Sequence, residues 1–77
     1  MPLSDATWRD IVWRYVCKVA APGGYFSIED LKPYYPAMIT QKQSRNRFIG
    51  EKVRQQLQIL RDEGKITFLI PGSYKRA

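Results

Sequence analysis

The apolar residues of this chain fall into two helical stripes and a pair of short strands. Trp8, Ile11, Val12, Tyr15, Val16 and Val19 recur at three- and four-residue steps, which predicts one face of a helix running to about Ala20. Ser4 or Asp5 is suited to cap that helix, and Pro22, Gly23 and Gly24 end it. Trp13 lies beside the stripe. Tyr25 and Phe26 predict a short extended piece, and Ser27 to Asp30 form a Ser-x-x-Asp capping pattern that opens a second helix. Pro33 and Pro36 disfavour its continuation, so "KPYYPAMI" is expected as one helical turn plus a bent connector. Leu31, Met38 and Ile39 are the residues there that reach a core.

"TQKQSRNR" is polar and basic without periodicity, and is either a loop or the exposed start of a third helix. Thr40, Ser44 and Asn46 are rival caps. From Phe48 the pattern is clear. Ile49, Val53, Leu57 and Leu60 mark one helical face, Gln56 sits at its edge, and Gly64 stops the helix after Asp62 and Glu63. "KITFLI" is rich in strand formers, "PG" is a turn and "SYKR" is a second short strand, which together predict a hairpin. The order is helix, short strand, short helix, long amphipathic helix, hairpin. That order predicts a winged helix-turn-helix, mainly α with a small β-hairpin, formed by residues 1–77 as one domain.

Charge sharpens this picture. The net charge is +6. Residues 1–39 balance Arg9, Arg14, Lys18 and Lys32 against Asp5, Asp10, Glu29 and Asp30. Residues 40–77 set nine cations against Glu51, Asp62 and Glu63, so the whole excess lies in the second half. Such asymmetry points to a polyanion, with nucleic acid as first candidate. Cys17 stands alone and histidine is absent, which argues against a disulfide framework and a Cys/His zinc site. Cys17 reads as a small packed residue in a reducing cytoplasm. No apolar run approaches membrane-spanning length, and "MPLSDATW" lacks the basic and apolar regions of a secretory signal, so the expectation is a cytoplasmic protein without a membrane partner.

Catalytic chemistry is not expected from these residues. There is no phosphate-binding glycine loop and no metal-ligand cluster, and no cofactor is implied. Glu29 and Asp30 are explained by helix capping. Asp62 and Glu63 lie at a helix C-terminus, where the macrodipole disfavours anions and a solvated end is expected to absorb them.

Binding chemistry is better represented. At 100° per residue, Ile49, Val53, Leu57 and Leu60 cluster within about 80° of the third helix. The opposite face carries Arg47, Glu51, Arg54, Gln55, Gln58 and Asp62. In a winged helix this face enters the major groove. Glutamine can pair with adenine N6 and N7, and arginine with guanine O6 and N7. Arg47, Glu51, Arg54, Gln55 and Gln58 are therefore the candidate base readers, although the same residue types are ordinary on any helix surface. Lys42, Arg45, Asn46 and Lys52 suit phosphates. Ser73, Tyr74, Lys75 and Arg76 form the expected wing, with inward packing of Tyr74 and a solvated end for Lys75 and Arg76 as alternatives.

"EKVRQQLQILRDEGKITF" with "GSYKR", preceded by "YFSIEDL", resembles the C-terminal winged-helix domain of the DpnI-type restriction endonucleases, from about Trp8 to Arg76. Members of that family cut DNA when the adenine of GATC is N6-methylated, and a PD-(D/E)xK nuclease domain precedes their winged helix. The resemblance implies a domain that senses methyladenine in double-stranded DNA and a parent protein that is an endonuclease. Nothing in this chain resembles the nuclease domain. A methyl-binding pocket would need apolar residues near the reading face, and Phe48, Tyr34 and Tyr35 are the candidates. Two other readings stay open: a methylation-independent DNA-binding module of the transcription-factor type, and a winged helix that contacts protein instead of DNA.

Overall fold

A computed structural model describes residues 7–42 and 48–77. Helix α1 spans Trp8–Val19 and buries Ile11, Val12, Tyr15 and Val16, the stripe that its spacing predicts. Its cap is Thr7, whose hydroxyl accepts the Asp10 backbone N–H at 3.2 Å. Ser4 and Asp5, the expected caps, lie outside the described residues. Strand β1 (Tyr25–Ser27) leads into α2 (Ile28–Leu31) through the predicted capping box of Ser27 and Asp30. The Asp30 carboxylate accepts the Ser27 N–H at 2.9 Å.

The connector is more helical than the prolines suggest. A 3-10 turn at Lys32–Tyr34 follows α2, and helix α3 then runs over Tyr35–Lys42. Both prolines sit in the first turn of a new helical segment, where the missing N–H has no intrahelical partner to lose. The second helical unit is thus broken and restarted. Thr40 does not cap the next helix: it lies within α3, and its hydroxyl donates to the Pro36 carbonyl at 3.0 Å. Ser44 and Asn46 lie outside the described residues.

Helix α4 (Ile49–Asp62) begins with Phe48 at the N-cap position. Val53, Leu57 and Leu60 are buried on its inner face, while Ile49 packs half-buried against the core. Gly64, with φ of 78°, turns the chain so that the Lys65 N–H bonds the Leu60 carbonyl at 2.9 Å. The anions at this end have cations beside them: Arg9 reaches Glu63 at 2.9 Å, and Arg61 lies 3.3 Å from Asp62. Solvation is therefore not the only relief from the helix dipole.

Strands β2 (Ile66–Ile70) and β3 (Ser73–Arg76) form the predicted hairpin, and β1 adds to it. The sheet is antiparallel in the order β1-β3-β2. Its inner face is held by three rings in cross-strand register. Phe26 lies 5.2 Å and Phe68 5.0 Å from the Tyr74 ring, centroid to centroid. Leu31 and Met38 join α1, α4 and the inner sheet face in one core, whereas Ile39 is only half-buried. The arrangement is a winged helix-turn-helix.

Burial raises the Tyr74 and Tyr35 phenols above their ordinary value of 10.0, although the Arg54 charge opposes the rise at both. The unfolded chain ionises these groups at the ordinary value and the folded chain resists. Stability that is complete below pH 10 is therefore expected to decline above it. Urea midpoints measured between pH 8 and pH 11 should fall less steeply for a Tyr35→Phe/Tyr74→Phe variant than for the parent chain. Parallel declines would contradict this.

Candidate nucleic-acid interface

The two faces of α4 are sharply divided. Val53, Leu57 and Leu60 are fully enclosed, and Glu51, Arg54, Gln55, Gln58 and Asp62 are exposed on the other side. Four of the five expected base readers thus share one open helical surface. Arg47, like the phosphate candidates Arg45 and Asn46, lies outside the described residues. Lys42 is the last residue of α3, and Lys52 is half-buried on α4. The broken second helical unit also braces α1: Arg14 donates to the Gln41 side-chain oxygen at 3.2 Å, and Gln41 in turn donates to the Tyr15 hydroxyl.

Part of the positive excess is spent on packing. Arg76 and Lys65 lie over the Trp13 ring at 5.2 and 5.3 Å from its centroid. Arg76 also donates to the Ala20 carbonyl at 2.9 Å, with its Nε enclosed. Arg61 covers Phe68 at 4.7 Å, and Lys75 lies 5.8 Å from the Tyr25 centroid. Arg54, on the outer face of α4, lies where its charge acts on both Tyr35 and Tyr74.

These positions separate the four expected wing residues from one another. Tyr74 is buried between Phe26 and Phe68, so its ring is a core element, as the inward-packing alternative expects. Arg76 pairs with Ile66 at the open end of the hairpin and is held against α1, away from the turn. Lys75 pairs with Tyr25 and Thr67 on the outer sheet face. Of the four, Ser73 alone adjoins the turn at Pro71–Gly72. The physical reason is the third strand: β3 is central, so its alternate side chains face the core.

The DpnI C-terminal family model, described as a Dam-replacing HTH domain, matches residues 7–76. The chain belongs to this family. A search of the curated proteins finds no match. As a member of the DpnI C-terminal family the chain is a helix-turn-helix DNA-binding domain. Among the described residues, no helix is long and apolar enough to cross a membrane, and no group of three or more Cys, Asp or Glu could hold a metal ion.

The methyl-pocket candidates of this DpnI-type domain occupy different surroundings. Phe48 stands 66% exposed at the start of α4. Tyr34 is stacked on Tyr15 at 5.1 Å, with Lys18 5.5 Å from its centroid, so its ring is committed to α1. Tyr35 is half-buried within range of the Arg54 charge. Two clefts, of about 470 and 330 Å³, lie along the sheet and hairpin, and none of these three residues lines either one. Leu69 and Ile70 line both clefts instead, and Pro71 lines the smaller; the strand pattern of "KITFLI" gives no reason to single out Leu69 or Ile70. Strict alternation would turn one of Leu69 and Ile70 inward. A bulge between Phe68 and Ile70 leaves both exposed.

Proposed function

We propose that this domain recognises N6-methyladenine in duplex DNA at GATC-like sites, as the specificity domain of a modification-dependent restriction endonuclease. The observation that carries this reading is the outer face of α4, where Arg54, Gln55 and Gln58 stand together with Glu51, opposite the core, on a chain of the DpnI C-terminal family. Gln55 and Gln58 supply donor and acceptor pairs suited to adenine N7 and the remaining N6 hydrogen, and Arg54 suits guanine. Arg47 extends the same set, and Lys42, Arg45, Asn46 and Lys52 take the phosphates. The N6-methyl projects into the major groove, and Phe48, exposed at the start of α4, with Tyr34 and Tyr35 are the candidates to seat it. In the cytoplasm such a domain would deliver an attached nuclease domain to adenine-methylated DNA.

Gel-shift titration of methylated and unmethylated GATC duplexes tests this reading. Tighter binding of the methylated duplex is expected, and equal affinities would sink methyl recognition. A second reading is favoured by the polar character of the α4 face itself: a methylation-independent DNA-binding module of the transcription-factor type. It requires sequence preference with no response to the methyl group.

A further inference from the structure

Five glycines occur in the chain, and the fold accounts for four of them. Gly23, Gly64 and Gly72 turn the backbone at φ of 78°, 78° and 82°, which residues with a side chain rarely adopt. A Cβ at Gly24 would come within 2.9 Å of the Ala21 carbonyl oxygen. Gly50 has neither reason. It sits in the first turn of α4 without a positive φ, and a Cβ there would meet nothing within 4 Å among the described residues. Alanine would fit the fold at this position and would favour the helix, because glycine loses more backbone freedom on folding. The missing side chain is space that the protein itself leaves unused.

Helical spacing fixes where that space lies. At 100° per residue Gly50 falls between Val53 and Arg54, each one turn further on. Val53 is enclosed in the core and Arg54 is exposed on the outer face. The space therefore lies where the packed face of α4 meets the proposed reading face. Phe48, 66% exposed, stands at the N-cap of the same turn, and Arg54 lies where its charge acts on Tyr35.

Shape names the group that fits. Alanine differs from glycine by one methyl group, and N6-methyladenine differs from adenine by one methyl group, which projects into the major groove. A helix backbone without a side chain lets a base edge approach closely, and the glycine Cα offers that methyl only C–H groups. We propose that Gly50 is the floor of the seat for the adenine N6-methyl group, which occupies the space that a Cβ would fill. The seat rests on the methyladenine recognition proposed above and names the residue that makes room for it.

Gly50→Ala and the parent chain are compared by thermal melting and by titration against fully methylated and unmethylated GATC duplexes at one salt concentration. The variant should melt about 2–8 °C higher, since alanine is compatible with this helical position. The parent chain should prefer the methylated duplex at least about fourfold. In Gly50→Ala that preference should fall to about one or below, because the added Cβ stands where the methyl of the base would sit. Higher stability with lower discrimination is an outcome that damage to the fold does not produce. Absence of preference in the parent chain would overturn methyl recognition and the seat together. A preference that Gly50→Ala retains would overturn the seat alone, as would equal weakening toward both duplexes. A lower melting temperature in the variant would show that the fold requires Gly50, and would also overturn the seat.

Discussion

Leu57→Ala should cost about 3 kcal/mol of folding stability, within the usual range for a buried leucine truncated to alanine. Leu57 is completely enclosed in the core, on the inner face of α4. Its removal takes away transfer free energy and leaves a cavity that a well-packed neighbourhood fills only in part. For a chain of 77 residues, such a loss is a large share of a total stability of roughly 4–12 kcal/mol. Urea denaturation should show a much lower midpoint with little change in slope. Gln58→Ala, one residue away on the open face, should fall within about 0.5 kcal/mol of the parent chain. A small effect at Leu57 would mean that α4 is not anchored through this residue.

Arg54→Ala and Gln55→Ala should do the reverse. Both side chains are exposed, so the fold is expected to survive with an unchanged melting curve. If they read base edges, each substitution should weaken duplex binding by about 1–3 kcal/mol, or roughly fivefold to more than a hundredfold. Specificity should relax at the contacted base pair. The salt slope separates base reading from phosphate contact by Arg54. Losing a phosphate contact lowers the slope by about one and weakens all sequences alike, whereas losing a base contact leaves the slope nearly unchanged. Fluorescence anisotropy on specific and scrambled duplexes measures both. Unaltered affinity in the two variants would remove them from the interface.

The inner and outer faces of α4 were legible from residue spacing because helical period and burial coincide there. Val53, Leu57 and Leu60 are buried and Arg54, Gln55 and Gln58 are exposed, as the wheel predicts. The stripe of α1, the capping box at Ser27 and Asp30, and the Gly64 stop were equally local features. What escaped was long-range. The pairing of β1 with β3 joins residues about fifty positions apart, and that pairing makes β3 central and buries Tyr74. Arg76 reads from the sequence as a wing residue or a solvated chain end because its partners, Trp13 and the Ala20 carbonyl, lie at the other end of the chain. The two prolines are hard to read from sequence for a different reason. Proline breaks a helix from within but is tolerated in a first turn, and spacing does not tell the two cases apart. The bulge that exposes both Leu69 and Ile70 depends on hairpin register, which alternation alone does not specify.

Methyl recognition is the step that the polar face of α4 does not itself supply. Burial of one methyl group is worth roughly 0.8 kcal/mol, about fourfold in affinity, and two methyls in a palindromic site give about fifteenfold if additive. A closely fitted pocket adds a cavity penalty against the unmethylated base. Calorimetric titration at one salt concentration, with unmethylated, hemimethylated and fully methylated GATC duplexes, should therefore give a ladder. Affinity is predicted to rise at least about fourfold at each step. Three equal affinities would contradict methyladenine recognition and leave a DNA-binding domain that is blind to the modification.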